Sequence, residues 1–261
     1  MLIGLTLLVL VFMTAVMTAA WAYGLKARNG GWTDVFWTFG SGGALVGAAV
    51  LAAPGPRAWL VASLVGLWAL RLGTHLAQRV AHGPEDPRYA RFREDWGADH
   101  PRRMIRVTLS QAPATALLAF SVIVAAHHPG PLGARDALAA ALFLAAFAGE
   151  SIADLQLERF RADPLNRGRV CERGLWAWSR HPNYFFEWLG WLAYPVIALD
   201  PARPVSWLSL TAPVVMYLLL TRVSGVPPLE EAMLRSRGEA YRSYRSRVSA
   251  FFPLPPKGRQ A

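Results

Sequence analysis

Ionisable side chains recur at a four-residue spacing inside otherwise apolar stretches of this chain. The acidic series is Glu150, Asp154 and Glu158, and the basic series is Arg71, His75 and Arg79. Residues four apart lie on one face of a helix. Ionisable groups inside a bilayer cost several kcal/mol unless they face a partner or a polar cavity. The two faces therefore either pair as buried structural groups or line a polar pocket where chemistry takes place.

The elements that must position these groups are apolar. The chain has 261 residues, of which 54% are hydrophobic, and it contains 11 tryptophans. This composition predicts an all-α, polytopic integral membrane protein. Seven transmembrane helices are predicted from the apolar runs, which fall at about 2–24, 33–53, 58–77, 108–127, 136–156, 184–200 and 204–222.

The distribution of cations predicts the orientation of these helices. The second, fourth and sixth loops hold only Arg57, Arg135 and Arg203. The first loop holds Lys26 and Arg28, and the third loop, the fifth loop and the tail are rich in arginine. Cytoplasmic loops carry the excess of lysine and arginine. We therefore expect the N-terminus outside and the C-terminus in the cytoplasm. Because topology explains the net charge of +10, no nucleic-acid partner is predicted.

Several site types are not expected. The one cysteine, Cys171, excludes an internal disulfide, and no cysteine and histidine spacing resembles a zinc site, so no metal is predicted. No glycine-rich Rossmann fingerprint and no P-loop is present.

A basic loop follows the acidic series. Its sequence, FRADPLNRGRVCERGLWAWSR, spreads arginines around two glycines. Guanidinium groups bind phosphate with two hydrogen bonds and stack on planar rings, which favours a ligand with phosphates and a base. The alternative is attraction to anionic lipid.

The segment ADLQLERFRADPLNRGRVCERGLWAWSRHPNYFFEWLGW, residues 153–191, resembles the C-terminal region of the steroid 5α-reductase family, specifically its bacterial members. The segment SGVPPLEEAMLRSRGEAYRSYRSRVSAFFP, residues 224–253, continues the likeness. The family reduces the C4–C5 double bond of 3-oxo-Δ4 steroids with NADPH, bound in a cavity open to the cytoplasm.

The resemblance implies a bacterial inner-membrane monomer that takes a steroid or other enone lipid from the bilayer. It implies substrate-side spans in residues 1–107 and a cofactor-binding region in residues 108–261. The cofactor residues it implies are Arg79, Asp154, Arg161, Arg169, Ser179, Arg180, His181, Asn183, Tyr184, Glu187, Arg222 and Glu230.

The N-terminal half matches the family less closely. Asp34 aligns with a family glutamate that faces the steroid carbonyl, whereas Trp68 stands where the animal enzymes have a tyrosine, and tryptophan cannot replace its acidic hydroxyl. We expect Asp34 to be protonated, or to share a proton with a neighbour. The resemblance suggests Asp34, Trp68 and His75 as catalytic residues, and Asp34, Trp37, Trp68 and Arg71 as substrate-binding residues.

A second enzyme family is also similar. Isoprenylcysteine carboxyl methyltransferases share the R-H-P-x-Y motif, a late pair like Glu230 and Glu231, and a final pair like Tyr241 and Tyr244. They bind S-adenosylmethionine, which carries no phosphate, so the basic loop favours the reductase. A non-enzymatic membrane protein would leave the acidic and basic faces merely paired.

Overall fold

The computed structural model describes residues 1–258 and is helical; the only β-pairing within this range is an isolated bridge between Ser179 and Ser249. The helices are α1 (Leu2–Ala27), α2 (Trp32–Ala52), α3 (Pro56–His82), α4 (Pro87–Trp96), α5 (His100–Leu109), α6 (Gln111–Ala126), α7 (Ala134–Ala162), α8 (Pro182–Trp191), α9 (Ala193–Ala198), α10 (Thr211–Leu218) and α11 (Val226–Arg247).

Six helical stretches within residues 1–258 are long and apolar enough to cross a membrane. These stretches are Leu2–Ala27, Trp32–Ala52, Pro56–His82, Pro87–Ala126, Ala134–Ala162 and Pro204–Arg247. They support an all-α membrane protein, but the predicted count of seven is not confirmed.

The predicted span at 184–200 forms two short helices instead of one. α8 ends at Trp191 and α9 begins at Ala193. Pro195 has no N–H to donate to the carbonyl of Trp191, so a continuous helix would lose a hydrogen bond at this point. The interruption is therefore a consequence of one proline.

The chain divides into two compact units. Unit 1 comprises Met1–Ala139 and Tyr194–Val215, and unit 2 comprises Ala140–Ala193 and the chain from Met216 onward. The predicted division was of another kind, with substrate-side spans in residues 1–107 and a cofactor-binding region in residues 108–261. It stays a prediction.

Close helix contacts build unit 1. The largest side chains buried in it include Met13 and Met17 of α1 and Leu45 of α2. A Cβ atom on Gly73 would lie 2.6 Å from the ring of Phe39, so α3 approaches α2 through a glycine. Small residues allow such approaches between membrane helices.

A buried arginine joins the start of α3 to the turn before α7. The Nε atom of Arg57 donates to Asp136 at 2.7 Å, and Nη1 and Nη2 donate to the carbonyls of Gly130 (2.9 Å) and Pro131 (2.6 Å). Arg57 and Asp136 are both buried. This arginine clamp satisfies carbonyl groups of a turn that has no helical hydrogen bonds.

Candidate functional site

The acidic face of α7 meets α8 within unit 2. The Nδ2 atom of Asn183 donates to Oδ1 of Asp154 at 3.1 Å. Glu187 lies one turn beyond Asn183, is buried, and accepts a hydrogen bond of 3.0 Å from the indole N–H of Trp191. Three of the predicted cofactor residues, Asp154, Asn183 and Glu187, therefore belong to one pair of helices.

The basic loop between α7 and α8 has a defined shape. Asn166 donates to the carbonyl of Phe160 at 3.0 Å, and Asp163 accepts from the N–H of Leu165 at 2.9 Å. At the far end, the amide oxygen of Gln156 accepts from the N–H of Leu175 at 2.9 Å. Gly168 has a φ of 83°, a left-handed conformation that favours glycine.

The arginines of this loop project outward. Arg161, Arg167, Arg169 and Arg173 are all exposed. Of these, Arg167, Arg169 and Arg173 make no ion pair with any carboxylate of residues 1–258. A fixed loop thus presents several guanidinium groups that are available to an anionic ligand.

Arg180 has a different environment, because its side chain is buried against the C-terminal helix. Its Nε atom donates to Oε1 of Glu230 at 2.6 Å, and Nη1 donates to the carbonyl of Arg245 at 3.1 Å. Both Arg180 and Glu230 are buried. The guanidinium that was predicted to contact a cofactor is therefore occupied by protein groups.

His181 lies beside this ion pair. Its Nε2 atom is 3.5 Å from Oε1 of Glu230, longer than a usual hydrogen bond, and its ring stacks on Tyr184 at 5.6 Å between centroids. Burial lowers the pKa of His181 below its ordinary value of 6.5, and the nearby Glu230 carboxylate offsets this only in part. His181 is therefore neutral at pH 7.

The residues after α11 form a C-terminal strap, Val248–Leu254, along the motif that contains Arg180. The N–H of Arg180 donates to the carbonyl of Ser249 at 2.8 Å, and the Ser179 hydroxyl donates to the carbonyl of Phe251 at 2.8 Å. The N–H of Leu254 donates to the carbonyl of Trp178 at 3.0 Å. The strap holds the backbone from Trp178 to Arg180.

Arg222 lies in a single π-helical turn, Leu219–Val223, and is exposed. Single π turns inside α-helices occur frequently at functional sites. The structure places this predicted cofactor residue in unit 2.

Unit 1 contains a polar cluster around Asp34. Oδ2 of Asp34 accepts from Arg88 at 2.7 Å, and Oδ1 accepts from the hydroxyl of Tyr89 at 2.6 Å. Both carboxylate oxygens thus accept hydrogen bonds. The neighbours of Asp34 are thus Arg88 and Tyr89, and the expectation that Asp34 is protonated or shares a proton with a neighbour stays a prediction.

Asp86 extends the cluster toward Arg79. Its carboxylate accepts from Nε of Arg88 at 2.9 Å and from Arg79 at 3.2 Å. Burial raises the pKa of Asp86, but the hydrogen bond and positive charge of Arg88 outweigh it, so this pKa lies below the ordinary 3.8. Arg79, predicted to bind the cofactor, therefore contacts a carboxylate of its own unit.

The remaining predicted substrate and catalytic residues also lie in unit 1. Trp37 and Trp68 meet edge to face with centroids 6.0 Å apart, and the indole N–H of Trp37 donates to the hydroxyl of Thr115 at 3.0 Å. Trp68 is buried, whereas Arg71 and His75 are half-buried on α3. The substrate and catalytic roles of these residues stay predictions.

A search of residues 1–258 finds no group of three or more histidine, cysteine, aspartate or glutamate side chains that could hold a metal ion. The prediction of no metal site stays a prediction.

A family model described as "Protein of unknown function (DUF1295)" matches residues 20–248. The chain belongs to the DUF1295 family. An uncharacterized protein of Schizosaccharomyces pombe is 29% identical over 225 residues, which are 76% of this chain and 63% of that protein. The chain thus matches less than two thirds of the length of this relative. No solved structure matches the chain.

Two features of this DUF1295 chain were missed by sequence reasoning. Tyr89 and Arg88 belong to the short, charged helix α4, and neither apolar periodicity nor a motif marks them in the segment PRYARF. The contacts of the C-terminal strap are long-range backbone hydrogen bonds, for which side-chain patterns carry no signal. In the sequence, the arginines around Tyr89 indicated only the orientation of the membrane helices.

Proposed function

We propose that this DUF1295 chain is an NADPH-dependent membrane reductase that adds hydride to the C=C bond of a 3-oxo-Δ4 steroid or a similar enone lipid. The DUF1295 family includes steroid 5-alpha-reductase-like proteins, which supports this class. We further propose seven membrane crossings, with the paired helices α8 and α9 acting as one, and a cofactor site that faces the cytoplasm of a bacterium.

The observation that carries the proposal is the set of exposed arginines on a shaped loop. Arg167, Arg169 and Arg173 are free of ion pairs within the described range, and the loop is held by hydrogen bonds at both ends. Such groups suit the phosphates of NADPH, because guanidinium binds phosphate with paired, charge-assisted hydrogen bonds. The Asp154–Asn183 pair supplies a carboxyl and an amide group near the start of α8.

The reaction also needs a donor for the carbonyl oxygen. Bound NADPH would supply the hydride, and negative charge would then develop on the oxygen of the enone. We assign Tyr89 to that oxygen: the hydroxyl is buried beside Asp34, to which it donates at 2.6 Å, and its one proton would turn from Asp34 to the enone oxygen. Asp34 and Arg88 orient this hydroxyl.

The alternative is an S-adenosylmethionine-dependent methyltransferase of the isoprenylcysteine carboxyl type. Its shared residues Glu230, Tyr241 and Tyr244 are buried here: Glu230 pairs with Arg180, and the Tyr244 hydroxyl donates to the carbonyl of Trp176 at 2.6 Å. These contacts stabilise unit 2 under either function. Since they do not discriminate, our preference for the reductase rests on the basic loop.

The first experiment identifies the cofactor. The protein is purified in detergent and denatured, and the released nucleotide is identified by mass spectrometry. NADPH or NADP⁺ supports the proposal. S-adenosylmethionine or its demethylated product would overturn it in favour of the methyltransferase.

A matched pair of variants tests the loop. Arg169→Gln with Arg173→Gln removes two unpaired loop charges, whereas Arg235→Gln with Arg242→Gln removes two exposed charges from α11. A charge-assisted hydrogen bond contributes about 1.5–3 kcal/mol, so the first variant should bind NADPH at least about tenfold more weakly per arginine. Equal loss in both variants would contradict a specific phosphate site.

A further inference from the structure

Trp178, Phe252 and Leu254 of unit 2 are large apolar side chains that are exposed outside its membrane-spanning helices. Trp178 is 46% exposed, Phe252 42% and Leu254 54%. Trp178 lies near the end of the basic loop, and the other two belong to the C-terminal strap. They are neighbours, because the N–H of Leu254 donates to the carbonyl of Trp178 at 3.0 Å. Exposed apolar patches of this kind mark interaction surfaces.

An aromatic cluster connects this patch to the last apolar helix. The ring of Phe252 lies 5.8 Å from that of Trp188 and 6.3 Å from that of Tyr217. Phe251 also contacts Tyr217, at 5.5 Å between centroids. Tyr217 lies in α10, inside a candidate membrane span.

The arginines that follow Tyr217 show where along that span the aromatic cluster lies. Arg222 lies five residues after Tyr217, and the chain beyond it is rich in arginine, so the apolar part of the span ends near Tyr217. On the same helix, Val214 and Leu218 are exposed, as expected for side chains that face lipid. Tryptophan and tyrosine are enriched at this depth, where an apolar ring meets the polar headgroups.

We propose that Trp178, Phe252 and Leu254 form an interfacial anchor that inserts into the headgroup boundary of the bilayer that the chain itself spans. The occupant is lipid, because the patch is continuous with a membrane helix through Phe252 and Tyr217. Lys257, exposed three residues after Leu254, can reach the headgroup phosphates while its stem lies along the apolar boundary. The inference rests on no catalytic assignment.

The anchor gives the strap a second role. Since the strap holds the backbone of Ser179 and Arg180, lipid contact at Phe252 and Leu254 fixes the height of that motif relative to the membrane. The basic loop, which contains Trp178 near its end, then lies at the membrane surface.

Nitroxide labels measure the depth of the anchor directly. Phe252→Cys and Leu254→Cys are labelled in lipid nanodiscs that contain anionic lipid, and collision rates with oxygen and with a water-soluble nickel chelate are compared. The controls are Ser246→Cys and Ser236→Cys, both at exposed positions of α11. Cys171 is buried and burial raises the pKa of its thiol, so the wild-type chain should take up little label.

We expect the oxygen-to-nickel collision ratio to be several-fold higher at positions 252 and 254 than at 246 and 236. Replacing Phe252 also removes its contacts with other rings. Leu254 is therefore the position that tests depth independently, because its contact with Trp178 is a backbone hydrogen bond. A ratio at 254 equal to that of the controls would overturn the anchor. Low access to both reagents with spin–spin broadening would also overturn it, since it would indicate a second copy of the chain on the patch.

Discussion

A single hydroxyl distinguishes Tyr89 from the other residues of the Asp34 cluster. It donates to Oδ1 of Asp34 at 2.6 Å, and the carboxylate is also paired with Arg88. In the proposed reductase, this hydroxyl stabilises the charge that develops on the enone oxygen. In this proposal Asp34 acts by positioning the hydroxyl of Tyr89.

Tyr89→Phe should therefore lower the rate of enone reduction by about 100-fold or more, the usual range for loss of a general acid. NADPH retention should be unchanged, because the loop arginines and the Asp154–Asn183 pair, which carry the proposed cofactor site, lie in unit 2. Single-turnover reduction with a 3-oxo-Δ4 steroid measures the first quantity, and mass spectrometry of the released nucleotide measures the second. Tyr23→Phe, at an exposed position of α1, is the control; equal activity in the two variants would exclude Tyr89 as the donor.

We expect the free energy of unfolding to depend on pH through His181. Because its pKa in the folded state is below 6.5, the unfolded chain binds more protons as the pH falls below about 6.5. Stability is therefore fully present above that pH and is lost as the pH decreases toward the folded pKa, by at most about 1.4 kcal/mol per pH unit.

Thermal unfolding in detergent at pH 7.5 and 5.5 measures this loss. His181→Gln should reduce the difference in Tm between the two pH values, whereas His82→Gln, at an exposed position near the end of α3, should leave it unchanged. An unaltered difference in the His181 variant would mean that another group titrates.

At the scale of elements, the junction between the π turn and α11 depends on Gly225. A Cβ atom there would collide with the carbonyl oxygen of Leu220, and the N–H of Gly225 donates to the carbonyl of Leu219 at 3.2 Å. The backbone is therefore too close for any side chain. The close backbone contact at Gly225 therefore sets the direction of the polar helix α11 relative to the apolar span that precedes it.

Gly225→Ala should destabilise the protein by about 1–3 kcal/mol, as overpacking does. Gly66→Ala is the control, because its nearest neighbour, Val46, lies 4.0 Å from the added atom. The measurement is the Tm of each variant in the same detergent. A Gly225 variant as stable as the Gly66 variant would show that the junction can relax.

The sequence predicts apolar elements better than polar ones. The runs at 2–24 and 33–53 correspond to α1 and α2 within a few residues, because long apolar helices are set by local composition. α4 and α5 were not predicted, since they are short and charged. The Asn183–Asp154 contact joins residues 29 positions apart and could not be read from spacing along one helix.

At the scale of the whole molecule, the orientation remains a prediction that cysteine labelling can test. The proposed seven crossings place Gly133 and Ala202 outside, and Ala98 and Ser236 in the cytoplasm. Cysteines at the first two positions should react with an impermeant maleimide in intact cells, and the other two only after permeabilisation. If α8 and α9 do not cross together, Ala202→Cys will be protected and Ser236→Cys will react.

The arginine clamp at the start of α3 has a consequence for biosynthesis. Arg57 and Asp136 are 79 residues apart in the chain, so at a synthesis rate of about 5–20 residues per second the guanidinium exists for roughly 4 to 16 seconds before its carboxylate does. During that interval the unpaired guanidinium of Arg57 would be unfavourable in free energy inside the hydrocarbon of the bilayer. The beginning of α3 must therefore remain in water until the ribosome has synthesised the first turn of α7. Only then can Arg57 pair with Asp136.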